Sequence, residues 1–314
     1  MEKKNRSHPA EFILCGLLYS NSKSDPPLFY TFTFTYILSL LGNLTIIVTI
    51  SLSSTLQTPM YFFLTNLSIL DICCISITVP KMLYNFAVES YTILFHECVI
   101  QLYLFTWIEI SELLLLTYMA FDRYTAICKP LHYTLIITRK VCFQAVITVW
   151  TLGAFSSAAH TSVTFSLSFC TNKEINHFFC EIPSLLKLSC TDTTLNEMFT
   201  LVTDVFLGIM CFVFISISYY FILLSITHIH SSEGKKKATS TCTSHIMVVI
   251  IYYGTLFVAY IKPQSGFFYN QDKILSVIYA VFVPLINPLI YTLRNRDMTH
   301  AIVKLYYKIT LTTK

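Results

Sequence analysis

Seven stretches of almost continuously apolar residues follow one another along the chain, and short polar segments separate them. Each stretch is long enough to cross a hydrocarbon layer of about 30 Å, which takes roughly 20 apolar residues as a helix. The pattern predicts an all-α fold, a bundle of seven transmembrane helices. The predicted spans are Phe29 to Ile50, Met60 to Tyr84, Cys98 to Tyr118, Val141 to Phe165, Phe199 to Ile226, Ser244 to Ile261 and Ile274 to Leu293.

The connections between the spans are short and no internal repeat is evident, so residues 1–314 are interpreted as one domain. Residues 1–26 form the predicted N-terminal tail and residues 294–314 the C-terminal tail, with a short amphipathic helix after the seventh span. The polar start of the chain lacks the apolar core of a signal peptide. The first span is therefore expected to act as the targeting signal.

Composition supports a membrane protein, since 54% of the residues are hydrophobic and only 12% are charged. The formal net charge of +4 is small and dispersed, which argues against nucleic acid as a partner. The chain contains no His-Glu-x-x-His, no Gly-x-Ser-x-Gly and no phosphate-binding loop, and it has only seven glycines. We therefore do not expect an enzyme.

Basic residues and cysteines predict the orientation. Lys and Arg concentrate on cytoplasmic segments, and disulfides persist on the oxidising side of a membrane. An extracellular N-terminus in the plasma membrane satisfies both rules, and it makes Asn5 in Asn5-Arg6-Ser7 a glycosylation candidate. The basic residues on the predicted inner side are Arg123, Lys129, Arg139, Lys140, Lys235, Lys236, Lys237, Arg294, Arg296, Lys304, Lys308 and Lys314.

Four acidic residues, Asp71, Glu109, Glu112 and Asp204, fall inside predicted spans, where ionisable groups normally face a bundle interior. Glu109 and Glu112 are three residues apart and share one helical face. If Asp71 lies opposite Glu112, these carboxylates with Asn43 and Asn287 can hold waters or Na⁺, a hard cation that prefers oxygen ligands. The alternative is that the acids are protonated and hydrogen-bonded without any ion. No other cofactor is expected.

Beyond these patterns, several motifs occur in a specific order, and through them the chain resembles odorant receptors, a rhodopsin-like family of G-protein-coupled receptors. The resemblance extends from the N-terminal Glu11-Phe12-Ile13-Leu14-Cys15-Gly16-Leu17 to the end of the helix after the seventh span. The other matching segments are Gly42-Asn43, Thr58 to Leu64, Leu67 to Asp71, Met119 to Cys128, Ser218-Tyr219, Lys237 to His245 and Pro284 to Tyr291.

The resemblance implies that Arg123 pairs with Asp122 at rest and is released to meet a heterotrimeric G protein. It assigns Tyr124, Tyr219, Asn287, Pro288 and Tyr291 to coupling and activation. Pro288 removes one backbone hydrogen bond, and a static bend is the alternative to a hinge there.

The resemblance also implies a Cys98–Cys180 disulfide and a second one, Cys170–Cys190. The residues alone leave the pairing open, since four cysteines allow three connectivities.

The resemblance places a small volatile ligand among the outer halves of the third, fifth, sixth and seventh spans. Thr106 stands where many relatives have His, so their ligand preference does not transfer. Glu109, if ionised, would favour a protonated amine. The predicted contacts are Phe105, Thr106, Glu109, Ile110, Thr203, Leu207, Tyr253, Tyr260 and Tyr279.

The predicted function is that of an odorant receptor that raises cyclic AMP through the stimulatory olfactory G protein. A rhodopsin-like receptor for a non-olfactory metabolite is the nearest alternative. A transporter or channel would show paired repeats or broken helices, and a structural scaffold would not need the Asp122-Arg123-Tyr124 and Asn287-Pro288 motifs together.

Overall fold

A computed structural model describes the backbone of residues 9–17, 26–169, 173–260 and 271–312. Within these ranges the chain forms a bundle of long helices, as the apolar pattern predicts. The crossings are α1 (Pro26–Leu52), α2 (Pro59–Val88), α3 (Phe95–Cys128), α5 (Arg139–Phe165), α7 (Thr194–Thr227), α8 (Ser232–Tyr260) and a last crossing made of α9 (Gln271–Val277), a π-helical turn (Ile278–Phe282) and α10 (Val283–Arg294). Shorter helices are α4 (Tyr133–Ile136), α6 (Ile182–Leu186) and α11 (Arg296–Thr312), the predicted amphipathic helix.

The helices extend beyond the predicted spans. The prediction that the third span ends at Tyr118 was wrong, because α3 continues to Cys128 and carries the polar Asp122-Arg123-Tyr124 segment. Six of the crossings are long and apolar enough to span a membrane within the described residues. The remaining crossing, α8, is the predicted sixth span. The protein is a multi-pass seven-helix membrane bundle.

The outer surface of α7 shows why the bundle belongs in lipid. Many of its large apolar side chains remain 44–65% exposed, and a soluble protein rarely exposes so continuous an apolar patch. Hydrocarbon removes the cost of this exposure. The exposed residues include Phe206, Ile209, Met210, Phe212, Val213, Phe214 and Ile217.

Two prolines shape the seventh crossing. Pro288 has no N–H for the carbonyl oxygen of Pro284, and that oxygen instead accepts hydrogen bonds from Ser39 Oγ and Asn43 Nδ2 of α1, both at 2.9 Å. Pro284 likewise provides no N–H for the carbonyl oxygen of Ala280, which lies 3.9 Å from the donor Cys74 Sγ of α2. Neighbouring helices thus satisfy the freed carbonyls, as a membrane interior requires.

A close contact between α3 and α5 depends on Gly153. A Cβ atom added there would lie 2.3 Å from Ser111 Oγ and 2.9 Å from Trp107 Cδ1. The absence of a side chain lets Trp107 Nε1 donate to the Trp150 carbonyl oxygen at 2.8 Å. Small residues at such crossings are how membrane helices approach closely without a hydrophobic driving force.

One end of the bundle carries a small sheet that the sequence pattern did not predict. Strand β1 (Glu11–Leu14) pairs antiparallel with β2 (Thr92–Leu94) and parallel with β3 (Glu174–Ile175). Phe12 of β1 is fully buried between Phe95 and Phe169. The N-terminal segment is therefore packed against the loops at this end, which we call the disulfide end; the opposite end, near Arg123, is the arginine end.

Candidate functional site

A cavity lies inside the bundle between α2, α3, α8 and the last crossing. Phe105, Glu109 and Glu112 line the cavity from α3. They are spaced four and three residues apart, and they therefore share one face of that helix. The aromatic rings of Tyr252 and Tyr279 also line the cavity. The full lining consists of Cys74, Phe105, Glu109, Glu112, Tyr252, Thr255, Tyr279 and Val283.

The loop after α5 covers the disulfide end of this cavity. The disulfide between Cys98 and Cys180 is present and ties this loop to the start of α3. Gln101, one turn further along α3, accepts a hydrogen bond from the Cys180 backbone N–H at 2.9 Å and donates to the Ile77 carbonyl oxygen at 3.0 Å. The buried Phe179 ring then packs 4.8 Å from the Phe105 ring in the cavity wall.

Only one cysteine of the second predicted disulfide lies among the described residues. Cys190 is disulfide-bonded. Cys170, its predicted partner, lies outside the described residues, so the pairing stays a prediction. Asn5, the glycosylation candidate, lies outside them too.

Glu181, next to the Cys98–Cys180 disulfide, is a site residue that the sequence reasoning missed. Its carboxylate accepts hydrogen bonds from Ser184 Oγ at 2.7 Å and Ser276 Oγ at 3.4 Å, and it lies 3.5 Å from His177 Nε2. Burial lowers the pKa of His177 to about 3, so the ring is neutral at physiological pH. Glu181 lies close enough to Tyr279 and Glu109 of the cavity lining to act on both electrostatically.

A buried polar centre lies beneath the cavity. Asn287 Nδ2 donates to both carboxylate oxygens of Asp71, at 2.9 and 3.2 Å. Glu112 interacts with both residues, as the predicted opposition of Asp71 and Glu112 requires. Two buried acceptors, Glu112 Oε1 and Asn43 Oδ1, have no hydrogen-bond partner among the described residues.

At the arginine end, Arg123 and Asp122 form the predicted ion pair. Arg123 Nε lies 3.0 Å from Asp122 Oδ2, and a second guanidinium nitrogen contacts the same oxygen. The other carboxylate oxygen accepts a hydrogen bond from the Tyr133 hydroxyl at 2.8 Å. Burial raises the pKa of Tyr133, which keeps this hydroxyl a donor. Asp122 is 1% exposed, so the pair is shielded from water and its electrostatic attraction is strong.

Tyr219 and Tyr291 both lie inside the arginine end. The Tyr219 hydroxyl is 2.8 Å from His245 Nδ1, and His245 Nε2 is 3.1 Å from the Leu116 carbonyl oxygen. Because a carbonyl only accepts, Nε2 carries the proton and Nδ1 accepts from Tyr219. Tyr291 is fully buried, and it lies close enough to Asp71 and Arg123 for both side chains to act electrostatically on its hydroxyl. That hydroxyl has no hydrogen-bond partner among the described residues.

Tyr124 has a different environment from its neighbours in the motif. Its ring packs against Phe221 of α7 at 6.2 Å and lies 5.8 Å from Lys129 Nζ. Neither contact involves Arg123 or Asp122. Tyr124 therefore packs in the interface between α3 and α7 instead of contributing to the ion pair.

A family model described as "Olfactory receptor" matches residues 32–308, which include every element of this site. The chain belongs to the olfactory receptor family. It is 45% identical over 301 residues to human olfactory receptor 5I1, covering 96% of each chain. It is 44% identical to human olfactory receptor 8D1, over 97% of this chain and 98% of the relative, and 44% identical to mouse olfactory receptor 8C8, over 98% of each.

Membership decides the class of protein. This olfactory receptor is a membrane-embedded G-protein-coupled receptor and not an enzyme; its family binds odorants and couples to G proteins. The transporter, channel and scaffold alternatives are thereby set aside.

The receptor's structure brings only part of the predicted ligand set together. Phe105, Glu109 and Tyr279 line the cavity. Thr203 instead lies 3.2 Å from His160 Nε2, and the Tyr253 hydroxyl donates to the Gly208 carbonyl oxygen at 3.3 Å. Thr106, Ile110 and Leu207 also lie outside the lining, while the Tyr260 side chain is outside the described residues.

The helical phase explains what was missed on α8. Sequence reasoning chose Tyr253, but Tyr252 and Thr255, three residues apart, are the α8 residues in the lining. Two adjacent tyrosines in an apolar helix do not reveal which one faces inward, since the hydrophobic pattern is similar all round.

Proposed function

We propose that the receptor binds a small volatile odorant in this cavity and activates the stimulatory olfactory G protein, so that cyclic AMP rises. One observation carries the proposal: a series of buried polar groups lies between the cavity and the arginine end. Glu112 lines the cavity and interacts with Asp71, which accepts from Asn287. Tyr291, one helical turn beyond Asn287, lies within electrostatic range of Arg123.

The ligand class follows from the lining. Phe105, Tyr252, Tyr279 and Val283 offer aromatic and apolar surface, which suits a compact and largely hydrophobic molecule. The buried Phe178 and Phe179 of the disulfide-tied loop separate the cavity from water. Burial of apolar ligand surface supplies the binding free energy under these conditions.

Activation is a shift of population. An odorant that binds the active helix arrangement better than the resting one raises the fraction of active receptor. In the active arrangement α8 moves away from α3, Arg123 leaves Asp122, and a cleft for the G protein opens. The contacts that must rearrange include those of Tyr219 with His245 and of His245 with the Leu116 carbonyl oxygen.

The same proposal assigns the orientation in the plasma membrane. The N-terminus and the disulfide end face the extracellular side, where the Cys98–Cys180 disulfide is stable. The arginine end faces the cytosol, in agreement with the exposed Arg139, Lys140, Lys235 and Lys236 near it.

A cyclic-AMP reporter screen of the full chain against chemically diverse volatiles tests the function. We expect a subset of compounds to raise cyclic AMP in cells that display the receptor and not in cells without it. Surface display of the receptor is measured in parallel, so that the absence of a cyclic-AMP response cannot be due to poor trafficking. A displayed receptor that responds to no volatile compound, but responds to a non-volatile metabolite, would overturn the proposal.

Na⁺ at Asp71 and Glu112 is part of the proposed resting state. The described residues contain no group of three or more His, Cys, Asp or Glu side chains that would hold a metal ion on their own. However, Glu112 Oε1 and Asn43 Oδ1 are buried acceptors without a donor, and a monovalent cation with waters would satisfy such oxygens. The residues present therefore fit a weakly held hard cation.

Exchanging NaCl for choline chloride at equal ionic strength tests this site. We expect the purified receptor in lipid nanodiscs to lose about 1–3 kcal/mol of stability, the linkage expected when an ion exceeds its Kd by ten- to a hundredfold. Asp71→Asn should abolish the salt effect, whereas Asp192→Asn, at the exposed surface, should retain it. Equal thermal unfolding of the unsubstituted receptor in both salts would contradict the site.

A further inference from the structure

The cavity holds hydrogen-bond acceptors without matching donors. The Glu109 side chain lines it and makes no hydrogen bond or ion pair with another described residue, and Glu112 Oε1 is buried and unpartnered in a side chain that is 5% exposed. Asp204 and Glu181 lie close enough to Glu109 to act on it electrostatically. No Lys, Arg or His occurs in the described lining to balance these groups.

Each side-chain donor in the lining already donates elsewhere. The Tyr252 hydroxyl donates to the backbone carbonyl oxygen of Glu109 at 3.0 Å, and not to its carboxylate. The Thr255 hydroxyl donates to the Tyr252 carbonyl oxygen at 2.7 Å, and the Tyr279 hydroxyl to Ser276 Oγ at 3.2 Å. The Cys74 thiol faces the Ala280 carbonyl oxygen. The carboxylates are therefore left for a donor that arrives with the ligand.

The apolar part of the lining favours a cation over a neutral donor. Phe105 and Tyr279 lie with their ring centroids 5.8 Å apart on one side of the cavity, and Tyr252 adds a third ring to the lining. Aromatic faces attract an ammonium group through the ring quadrupole, most strongly where water is excluded. An unpartnered Glu109 carboxylate beside aromatic rings forms the combination that recognises a protonated amine and disfavours a carboxylic acid.

We propose that the ligand of this cavity is a small protonated aliphatic amine, whose ammonium group binds the Glu109 carboxylate between the rings of Phe105, Tyr252 and Tyr279. The inference rests on the proposed odorant-binding function and names its ligand class. Glu112 lies one turn deeper on the same face of α3 and takes the remaining ammonium N–H or a water attached to it.

Direct binding separates this inference from the signalling proposal. The probes are linear primary amines from propyl to hexyl and the alcohols of the same chain lengths, measured by thermal shift of the full-length receptor in nanodiscs. We expect at least one amine to bind about 10-fold more tightly than its alcohol, the gain typical of a hydrogen bond between charged groups. Glu109→Gln should remove the preference while alcohol binding persists, which also reports that the variant is folded.

The matched control is Glu97→Gln on the same helix, since Glu97 pairs with Lys81 at 3.2 Å and is 43% exposed outside the cavity. It should keep the amine preference. A second variant, Tyr279→Leu, should weaken amine binding several-fold more than alcohol binding, because it removes one aromatic face. Alcohols that bind as tightly as amines, an unchanged preference in Glu109→Gln, or no amine binding at all would each overturn the inference.

The two proposals fail in different ways. If neutral volatiles raise cyclic AMP and no amine binds, the odorant-receptor function stands and the ligand class is wrong. If amines bind with the expected dependence on Glu109 but no signal follows, the ligand class stands and the assigned G-protein pathway is wrong.

Discussion

Replacing Arg123 with Ala should abolish ligand-dependent G-protein activation while leaving ligand binding intact. Arg123 lies at the opposite end of the bundle from the cavity lid and touches none of the cavity lining. Its removal takes away the group proposed to meet the G protein and leaves the buried Asp122 carboxylate without its cation, a loss that costs several kcal/mol. We expect signalling to fall by about 100-fold or more, measured as cyclic AMP per displayed receptor.

Two further variants separate coupling from structural support. Asp122→Asn keeps the shape of the side chain but weakens the charge-assisted bonds to Arg123, so basal signalling should rise by about 10-fold if roughly 1.5 kcal/mol of resting-state stabilisation is lost. Tyr133→Phe removes only the 2.8 Å hydrogen bond to Asp122 and should change basal signalling much less. Unchanged basal signalling in Asp122→Asn would contradict the resting role of the ion pair, and full signalling in Arg123→Ala would contradict the coupling role of Arg123.

The number and order of the crossings could be predicted because lipid imposes a simple rule. Each crossing needs about 20 apolar residues, and nothing else in the chain reaches that length. The rule does not set helix ends, since a helix continues past the hydrocarbon wherever its backbone can still form hydrogen bonds. This is why α3 passes Tyr118 and α2 continues to Val88, where Glu89 ends it with a positive φ of 52°.

Local exceptions could not be predicted from periodicity. The strands of the small sheet are two to four residues long, too short for an alternating pattern to stand out. The π-helical turn at Ile278–Phe282 has no sequence signature of its own, although Pro284, two residues after it, lacks the N–H that the usual helical hydrogen bond needs. Pairings such as Ser39 with the Pro284 carbonyl oxygen depend on which helices become neighbours.

The candidate site was predictable where a motif or a charge marked it. Asp71 and Asn287 are hydrogen-bonded and Arg123 and Asp122 are paired, as expected from polar residues that must avoid lipid. Apolar and hydroxyl side chains occur on every face of these helices, so the sequence does not reveal which of them face the cavity. For this reason Thr203 was expected in the cavity and Tyr252 was not. Glu181 was missed because a carboxylate in a loop is ordinary until the disulfide places it over the cavity.

The second large expected effect concerns the disulfide between Cys98 and Cys180. Replacing both residues with Ser should destabilise the purified receptor by about 2–3 kcal/mol and weaken ligand binding. The bridge closes a loop with a sequence separation of 82 residues, for which chain entropy alone gives a larger value. The effect is smaller here because the helices within that loop remain in the membrane after tertiary contacts are lost, which restricts the unfolded chain.

Thermal unfolding in nanodiscs measures this loss, and Cys15→Ser is the matched control. Cys15 is a free thiol at the same end of the bundle, so its substitution should change stability by about 0.5 kcal/mol or less. The variant Gln101→Ala separates the contribution of the disulfide from that of the neighbouring hydrogen bond. It keeps the disulfide but leaves the Cys180 backbone N–H without its acceptor. If the double Ser variant unfolds at the same temperature as Cys15→Ser, the hydrogen bonds of Gln101 and the packing of Phe179 hold the loop over the cavity without the bridge.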